Sequence, residues 1–429
     1  MSLAKGLLKN KIFIIVIVLM LVMFPGVITR SAEGEMMALV AAMGIDVVEG
    51  GQLEVSVAII QNKVTGGDVN ANLFDHSDKG ESLGQIIDKI GRELGRRLAL
   101  SHCEEIIISE SVLQDNSIRH LDFFIRTNNF TTNSNLFLTD ASAKDVIKGK
   151  CMTENPFTEV MTNTLEYRDG TYEPMEMTIK NFFKDYYGNR SISVMGIVSV
   201  EKEGEGKSGS GGGSGASDNG GMSSSGSSSS GGGSSGGGGG GSGESKVKGL
   251  YINNQLAIVK EGKLVRKLSP EESSIYNIVN ETSTNDILTI HNIDTAQFYN
   301  ASITFEIYYK HVKTKVYFNN GNPVYNVHLK MHLKFSEINA DFYTESSIDE
   351  ISDFMYDNVY EAIELKLKSQ FNELVENCKK DETDIFGVNE TLYKFKTKQW
   401  NNFVTSLEDP DDYLNNVVFQ MDMQIITKL

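Results

Sequence analysis

"MALVAAMGIDVVEGGQLEVSVAIIQNK", residues 37–63, decides the fold class. Two runs of strand chemistry flank Glu49-Gly50-Gly51-Gln52. In the second, apolar Leu53, Val55 and Val57 alternate with polar neighbours, the period of a half-buried strand. The paired glycines tolerate the positive φ that a tight hairpin requires. Strands joined this closely pair antiparallel, because a parallel pair needs a long crossover. Helical spacing then begins at Ser82, with Leu83, Ile86, Ile87, Ile90 and Leu94 three and four apart. "EEIIISE" (104–110) reads as a buried strand, "IRHLDFFIRTNN" (118–129) as helical, "SNLFLTD" (134–140) as a strand and Ala141 to Val146 as the start of a helix. "MTIKNFFKDYYG" (177–188) is a helix ending at Gly188. Helices interleaved with a hairpin exclude an all-parallel sheet. The prediction is α+β, multi-domain, with mixed or antiparallel sheets and packed helices.

The second half repeats this logic. In "KGLYINNQLAIVKEGKLVRKLSPEES" (248–273), Glu261-Gly262 turns one strand onto the next, and Ser269-Pro270 opens a helix. "SITFEIYYKHVKTKVYF" (302–318) and "PVYNVHLKMHLKFSEI" (323–338) are long strands. Tyr325, Val327, Leu329, Met331, Leu333 and Phe335 share one face of the latter; Asn326, His328, Lys330, His332 and Lys334 share the other. An amphipathic helix is expected from Ile348 to about Lys379 through Ile351, Met355, Val359, Ile363, Phe371, Leu374 and Cys378, and "NNVVFQMDMQIITKL" (415–429) ends the chain as a strand.

Before residue 30, Lys5, Lys9 and Lys11 precede an apolar run from Ile12 to Phe24. A helix over residues 12–28 would measure about 25 Å, near the thickness of a hydrocarbon core. Residues 1–29 therefore read as a signal peptide or signal anchor, one N-terminal hydrophobic helix, with everything after Arg30 exported. Residues 204–245 are dominated by glycine and serine and form a tether with a coil dimension of about 30–35 Å. They divide the exported part into 33–203, with a possible subdomain boundary near 150–170, and 246–429. The net charge of −17 excludes a nucleic-acid footprint. Cys103, Cys151 and Cys378 form neither a metal pattern nor a disulfide framework, and at most one pair could bridge.

Catalytic signatures do not survive inspection. Gly232-Gly233-Ser234-Ser235-Gly236 matches a nucleophile elbow, but it lies in low-complexity sequence without the strand and helix that an elbow needs. His328 and His332, four residues apart on a strand, are separated by about 13 Å and cannot share an ion. Glu104, Glu105 and Glu110 could serve as paired acids, but no aromatic sugar platform accompanies them, and surface placement is expected. "DETDIFGVNETLYKFKTKQW" (381–400) suggests a kinase Asp-Phe-Gly, but Ile385 interrupts it and no companion motif lies upstream. Asp384 is expected to cap or end the long helix, Gly387 to permit a tight turn, and Phe386 and Trp400 to bury against a sheet. No metal and no cofactor is expected.

Four stretches together resemble the Ger(x)C spore-germination proteins, the C subunits of nutrient germinant receptors. "AAMGIDVVEGGQLEVSVAII" (41–60) is similar to the family's opening hairpin, with Gly44 and Asp46 in its Gly-Ile-Asp. "LSHCEEIIISESVLQDNSIRHLDFFIRTNNF" (100–130) carries His102, Glu110, Asp122 and Arg126 in the family order. "LAIVKEGKLVRKLSPEES" (256–273) supplies Lys263, Leu264 and Glu272, with Ser273 where the family has threonine. Asp384, Phe386, Gly387 and Trp400 match the Asp-Ile-Phe-Gly…Trp signature.

The resemblance implies a non-catalytic, extracytoplasmic subunit attached to a membrane, on the spore inner membrane, beside two integral membrane partners, one permease-like and one multi-spanning. It also implies a compact three-domain α+β fold. The signature positions are expected to be structural. The family's lipid-bearing cysteine is missing, because "MLVMFPGVITRSAEGE" (20–35) contains none; the helix over 12–28 is expected to anchor instead. From the residues alone, an exported solute-binding or adhesive surface protein and an exported hydrolase stay open beside this reading. The nutrient ligand is unknown.

Overall fold

The computed structural model describes residues 36–65, 68–114, 117–149, 177–188, 191–202, 247–280, 286–293, 298–339, 342–343 and 359–428. The hydrophobic helix, Cys151, the tether, Ile351 and Met355 lie outside the described residues.

The opening hairpin is as expected. β1 (Met37–Val48) and β2 (Gln52–Thr65) pair antiparallel with Val48 opposite Gln52, and β3 (Asp68–Gly80) continues the meander. α1 (Leu83–Leu94) follows, capped by Ser82, which accepts from the Gln85 N–H, and closed by Gly95 in the left-handed region. Short β4 (Arg97–Ala99) runs parallel to the start of β1, and β5 (Glu105–Ser109) parallel to its middle. Next come α2 (Glu110–Gln114), α3 (Asp122–Arg126), β6 (Asn135–Thr139), α4 (Ala143–Lys148), α5 (Ile179–Tyr186) and β7 (Ile192–Lys202). β8 (Val247–Lys260) and β9 (Lys263–Lys267) complete a nine-stranded mixed sheet ordered β3-β2-β1-β5-β6-β7-β8-β9, with β4 beside β1.

Both faces of this sheet are covered. Val40, Met43, Ile45, Ile106 and Ile108 pack with α1 and α5 through Ile86, Ile90 and Phe182. On the opposite face Ala42, Ile107, Phe137 and Val198 meet Ala143, Val146 and Ile147 of α4.

The tether was expected to divide 33–203 from 246–429. The strands at its two ends are hydrogen-bonded neighbours: β7 and β8 pair antiparallel from Ile192–Lys260 to Lys202–Val247. Both strands carry strand-forming Val and Ile, and a long connection between two edges costs little closure entropy. Local patterning shows that each is a strand but not which partner it takes. Their apolar residues also divide between two cores. Met195, Ala257 and Val259 join the N-terminal core, whereas Ile192, Val194, Leu256 and Ile258 join the C-terminal one.

The C-terminal body starts at α6 (Pro270–Val279) and holds β10 (Asp286–Ile293), β11 (Phe298–Tyr299), β12 (Ala301–Asn319), β13 (Asn322–Asn339), β14 (Phe342–Tyr343), α7 (Tyr360–Lys380), α8 (Val388–Phe395), α9 (Thr397–Ser406) and β15 (Val418–Lys428). Its main sheet is ordered β10-β12-β13-β15, antiparallel except that β15 runs parallel to β13. The alternation read in β13 holds, with Tyr325, Val327, Leu329, Met331 and Leu333 buried against α7 residues Ile363, Leu367, Phe371 and Leu374. Phe335 is only partly buried. A stripe at three- and four-residue spacing is what seats one long helix across a sheet.

Candidate functional site

The signature residues do not converge on one pocket. They form joints between elements. The first is Gly44-Ile45-Asp46. Gly44 faces α4, and a Cβ there would stand 2.8 Å from the Ala143 carbonyl oxygen and 2.9 Å from Ile147. Only hydrogen lets the helix approach so closely. Two residues on, Asp46 accepts from the Ala143 N–H at 2.8 Å and the Lys144 N–H at 3.0 Å, satisfying the first turn of that helix. Burial pushes the Asp46 carboxyl above the usual range, and these backbone donors partly offset the rise. Lys144 Nζ reaches Glu54 at 2.6 Å, tying the same turn to β2.

The second joint binds the last strand of the large sheet to the C-terminal body. Ser269 and Glu272 form a capping box on α6: the Ser269 Oγ accepts from the Glu272 N–H, and Glu272 accepts from the Ser269 N–H at 2.9 Å. Arg266 of β9 donates to both Glu272 oxygens at 2.7 and 2.9 Å, and its Nε donates to Asp381 at 2.5 Å. Asn377 of α7 donates to Glu272 at 3.0 Å. Burial works to raise the Glu272 pKa, but Arg266, Asn377 and the Ser269 N–H outweigh it and hold the carboxyl below its usual range. Lys263 is exposed beside the turn, and Leu264 packs on the N-terminal core. Lys267 Nζ stands 2.6 Å from Glu110, an ion pair by distance that is not aligned as a hydrogen bond.

The third joint is the Asp-Ile-Phe-Gly turn. Asp384 was expected to cap or end the preceding helix, but α7 ends at Lys380, and Asp384 caps the helix that follows. It accepts from the Val388 N–H at 3.0 Å, the Asn389 N–H at 2.8 Å and the Tyr413 hydroxyl at 3.0 Å. Gly387 has φ 67°, the left-handed conformation that turns the chain into α8. Phe386 meets the rings of Tyr325, Phe371 and Phe419, and Trp400 lies buried with its ring 5.2 Å edge-on from Tyr413.

Asp122 pairs with Arg126 one turn on and accepts from the Tyr187 hydroxyl at 3.3 Å. His102 is exposed in the short turn before β5. Sequence reading missed Arg266, Asn377, Asp381 and Tyr413, which complete these joints. An arginine in a short strand three residues before a helix cap was the available signal.

Glu105 corrects a surface expectation: it is 1% exposed. It follows Glu104 in a charged-looking pair, but β5 is flanked by β1 and β6 and buried along its whole length, so no position on it is solvated. Burial, reinforced by Glu104, raises its pKa to about 8. The buried thiols of Cys103 and Cys378 are free, and burial pushes Cys378 up to about 12. The unfolded chain releases the Glu105 proton near 4.5, and the folded chain near 8, so in between the folded state binds the extra proton. This stabilisation is complete below about 4.5 and is lost as pH rises through 8. Wild type should therefore lose on the order of 2 kcal/mol between pH 5 and 7 relative to Glu105→Gln. Thermal midpoints of the two proteins across that range check this, and parallel profiles would count against it.

His328 and His332 are half-buried, and His328 Nδ1 lies 3.3 Å from Asp422. Among the described residues no group of three His, Cys, Asp or Glu is arranged to hold a metal.

These joints define a class of protein: an α+β molecule whose distinctive polar residues cap helices and fasten two sheets. Residues 31–200 match the spore germination protein N-terminal domain, and residues 254–425 match the spore germination B3/GerAC-like C-terminal family. The chain belongs to the Ger(x)C family of spore germination proteins, the C subunits of germinant receptors. It is similar to the crystal structure of the GerBC protein at 16% identity and a TM-score of 0.46, over 90% of this chain and 97% of the other. No curated protein matches the sequence.

Proposed function

We propose that the protein is the membrane-anchored, extracytoplasmic and non-catalytic subunit of a nutrient germinant receptor, and that it works by contact with integral membrane subunits at the spore inner membrane. The observation that carries this reading is where the signature carboxylates spend their oxygens. Asp46 and Asp384 cap helices, and Glu272 is held by Arg266, Asn377 and Ser269. Such residues preserve a shape, and a preserved shape serves a partner surface. The basic residues ahead of the apolar run 12–24 supply the anchoring argument. Residues 12–28 hold the chain to the bilayer in place of the missing lipidated cysteine.

Affinity purification of the full-length chain from detergent-solubilised spore membranes tests this. Permease-like and multi-spanning subunits are expected to co-purify, and a chain starting at residue 36 is expected to leave the membrane fraction. Recovery of the intact chain from the soluble fraction, without membrane proteins, would overturn the proposal.

A further inference from the structure

An open groove of about 650 Å³ lies between the C-terminal end of α1, β4 and the start of α3. Its apolar part includes Ile87, Leu98 and Phe123, and three guanidinium-bearing residues line it: Arg92, Arg96 and Arg97. Arg92 lies 3.2 Å from Asp88, whereas Arg96 and Arg97, both exposed, have no ion-pair partner among the described residues. In a chain of net charge −17, three arginines in six residues around an apolar groove are a local inversion of charge.

Position says what they face. Met36 is 71% exposed and lines the same groove. Eight Cα–Cα steps separate it from Ile28, the end of the helix expected over 12–28, so covalent geometry holds the groove within about 29 Å of that point. We infer that this groove docks the headgroup of an anionic phospholipid, with the phosphate on Arg96 and Arg97 and the glycerol and first acyl carbons on Ile87, Leu98 and Phe123. Guanidinium forks match phosphate oxygens two at a time, and basic residues next to a bilayer are drawn to its anionic lipids. The inference rests on the membrane-anchored reading above.

The test uses the full-length chain reconstituted into vesicles of phosphatidylcholine alone or of phosphatidylcholine with phosphatidylglycerol at 7:3. Arginine modification by phenylglyoxal is read residue by residue by mass spectrometry. Arg96 and Arg97 should react several-fold more slowly in the phosphatidylglycerol vesicles, while exposed Arg126 reacts equally in both. Equal rates at Arg96 and Arg97 in the two vesicles overturn the proposal. Protection in phosphatidylcholine vesicles by inorganic phosphate assigns a free anion instead. Protection there by polyglutamate, with none from phosphatidylglycerol, assigns an acidic protein; either result also overturns it.

Independently, titration with soluble dihexanoyl-phosphatidylglycerol, followed by hydrogen exchange over 84–100, should show affinity weakened about 30-fold in Arg96→Gln/Arg97→Gln, at about 5-fold per arginine. An unchanged affinity overturns the proposal. Failure of the anchor is read separately, as release of the chain from vesicles by alkaline washing. The soluble-lipid titration then still decides the groove.

Discussion

Arg266→Ala should destabilise the protein by about 3–5 kcal/mol, the cost of stranding a buried charge whose partner has been removed. The Glu272 side chain is only 8% exposed, and Arg266 is 22% exposed, so water can replace little of what the guanidinium supplied. Truncation takes away two donors to Glu272 and one to Asp381. Asn377 and the Ser269 N–H would still bind the Glu272 carboxylate, but neither carries a charge. Arg266→Lys should recover only part of the loss, because an ammonium cannot bridge both Glu272 oxygens and Asp381 from one planar fork. Urea denaturation of the wild type, both variants and Glu272→Gln checks this. The Arg266–Glu272 cycle should give a coupling of about 2 kcal/mol. A loss below about 1 kcal/mol would mean that the pair is screened like a surface bridge. The pH dependence carries its own sign. Glu272 has a lowered folded pKa, so its contribution is present above the ordinary carboxylate range and fades as pH falls through the folded value. The gap between wild type and Arg266→Ala should narrow in acid.

That joint also shows where sequence reading stopped. The elements themselves were legible, because each is fixed by local pattern: the Gly50-Gly51 turn, the Ser269–Glu272 cap, the alternation of β13 and the stripe of α7. Their partners were not. Asp46 caps a helix 97 residues downstream at Ala143, and Arg266 meets Asp381 across 115 residues. No periodicity encodes such pairs. The glycine-serine tether marked a compositional boundary, yet β7 and β8 pair across it in one sheet. A tether limits how far two strands can separate but does not choose their sheet. Glu105 was misjudged for a related reason. Its charge argued for solvent, but a strand with a neighbour on each edge and helices over both faces has none to offer. The family signature was easier to read than its purpose. Asp46, Glu272 and Asp384 were expected to be structural, and each is consumed by backbone or side-chain donors inside the fold.

Asp384→Ala is the second large effect, at about 3 kcal/mol. One carboxylate, 2% exposed, satisfies the Val388 and Asn389 N–H groups at the start of α8 and the Tyr413 hydroxyl beyond α9. Losing a helix cap costs about 1 kcal/mol, and each further buried donor left without an acceptor adds about 1 kcal/mol, more where the acceptor was ionised. Tyr413→Phe removes only the third bond and should cost about 1 kcal/mol, which separates the cap from the tether to Tyr413. Asp384→Asn keeps the shape and one acceptor oxygen, and should fall between. The chain's one tryptophan makes the result local. Trp400 packs 5.2 Å edge-on against Tyr413, so its emission follows this corner. Asp384→Ala should shift that emission to longer wavelength at denaturant concentrations where the wild type stays folded, together with the global loss of stability. If emission and stability both stay at wild-type values, water has replaced all three bonds, and Asp384 does not organise the turn. The position would then need an explanation outside the fold, at a partner surface.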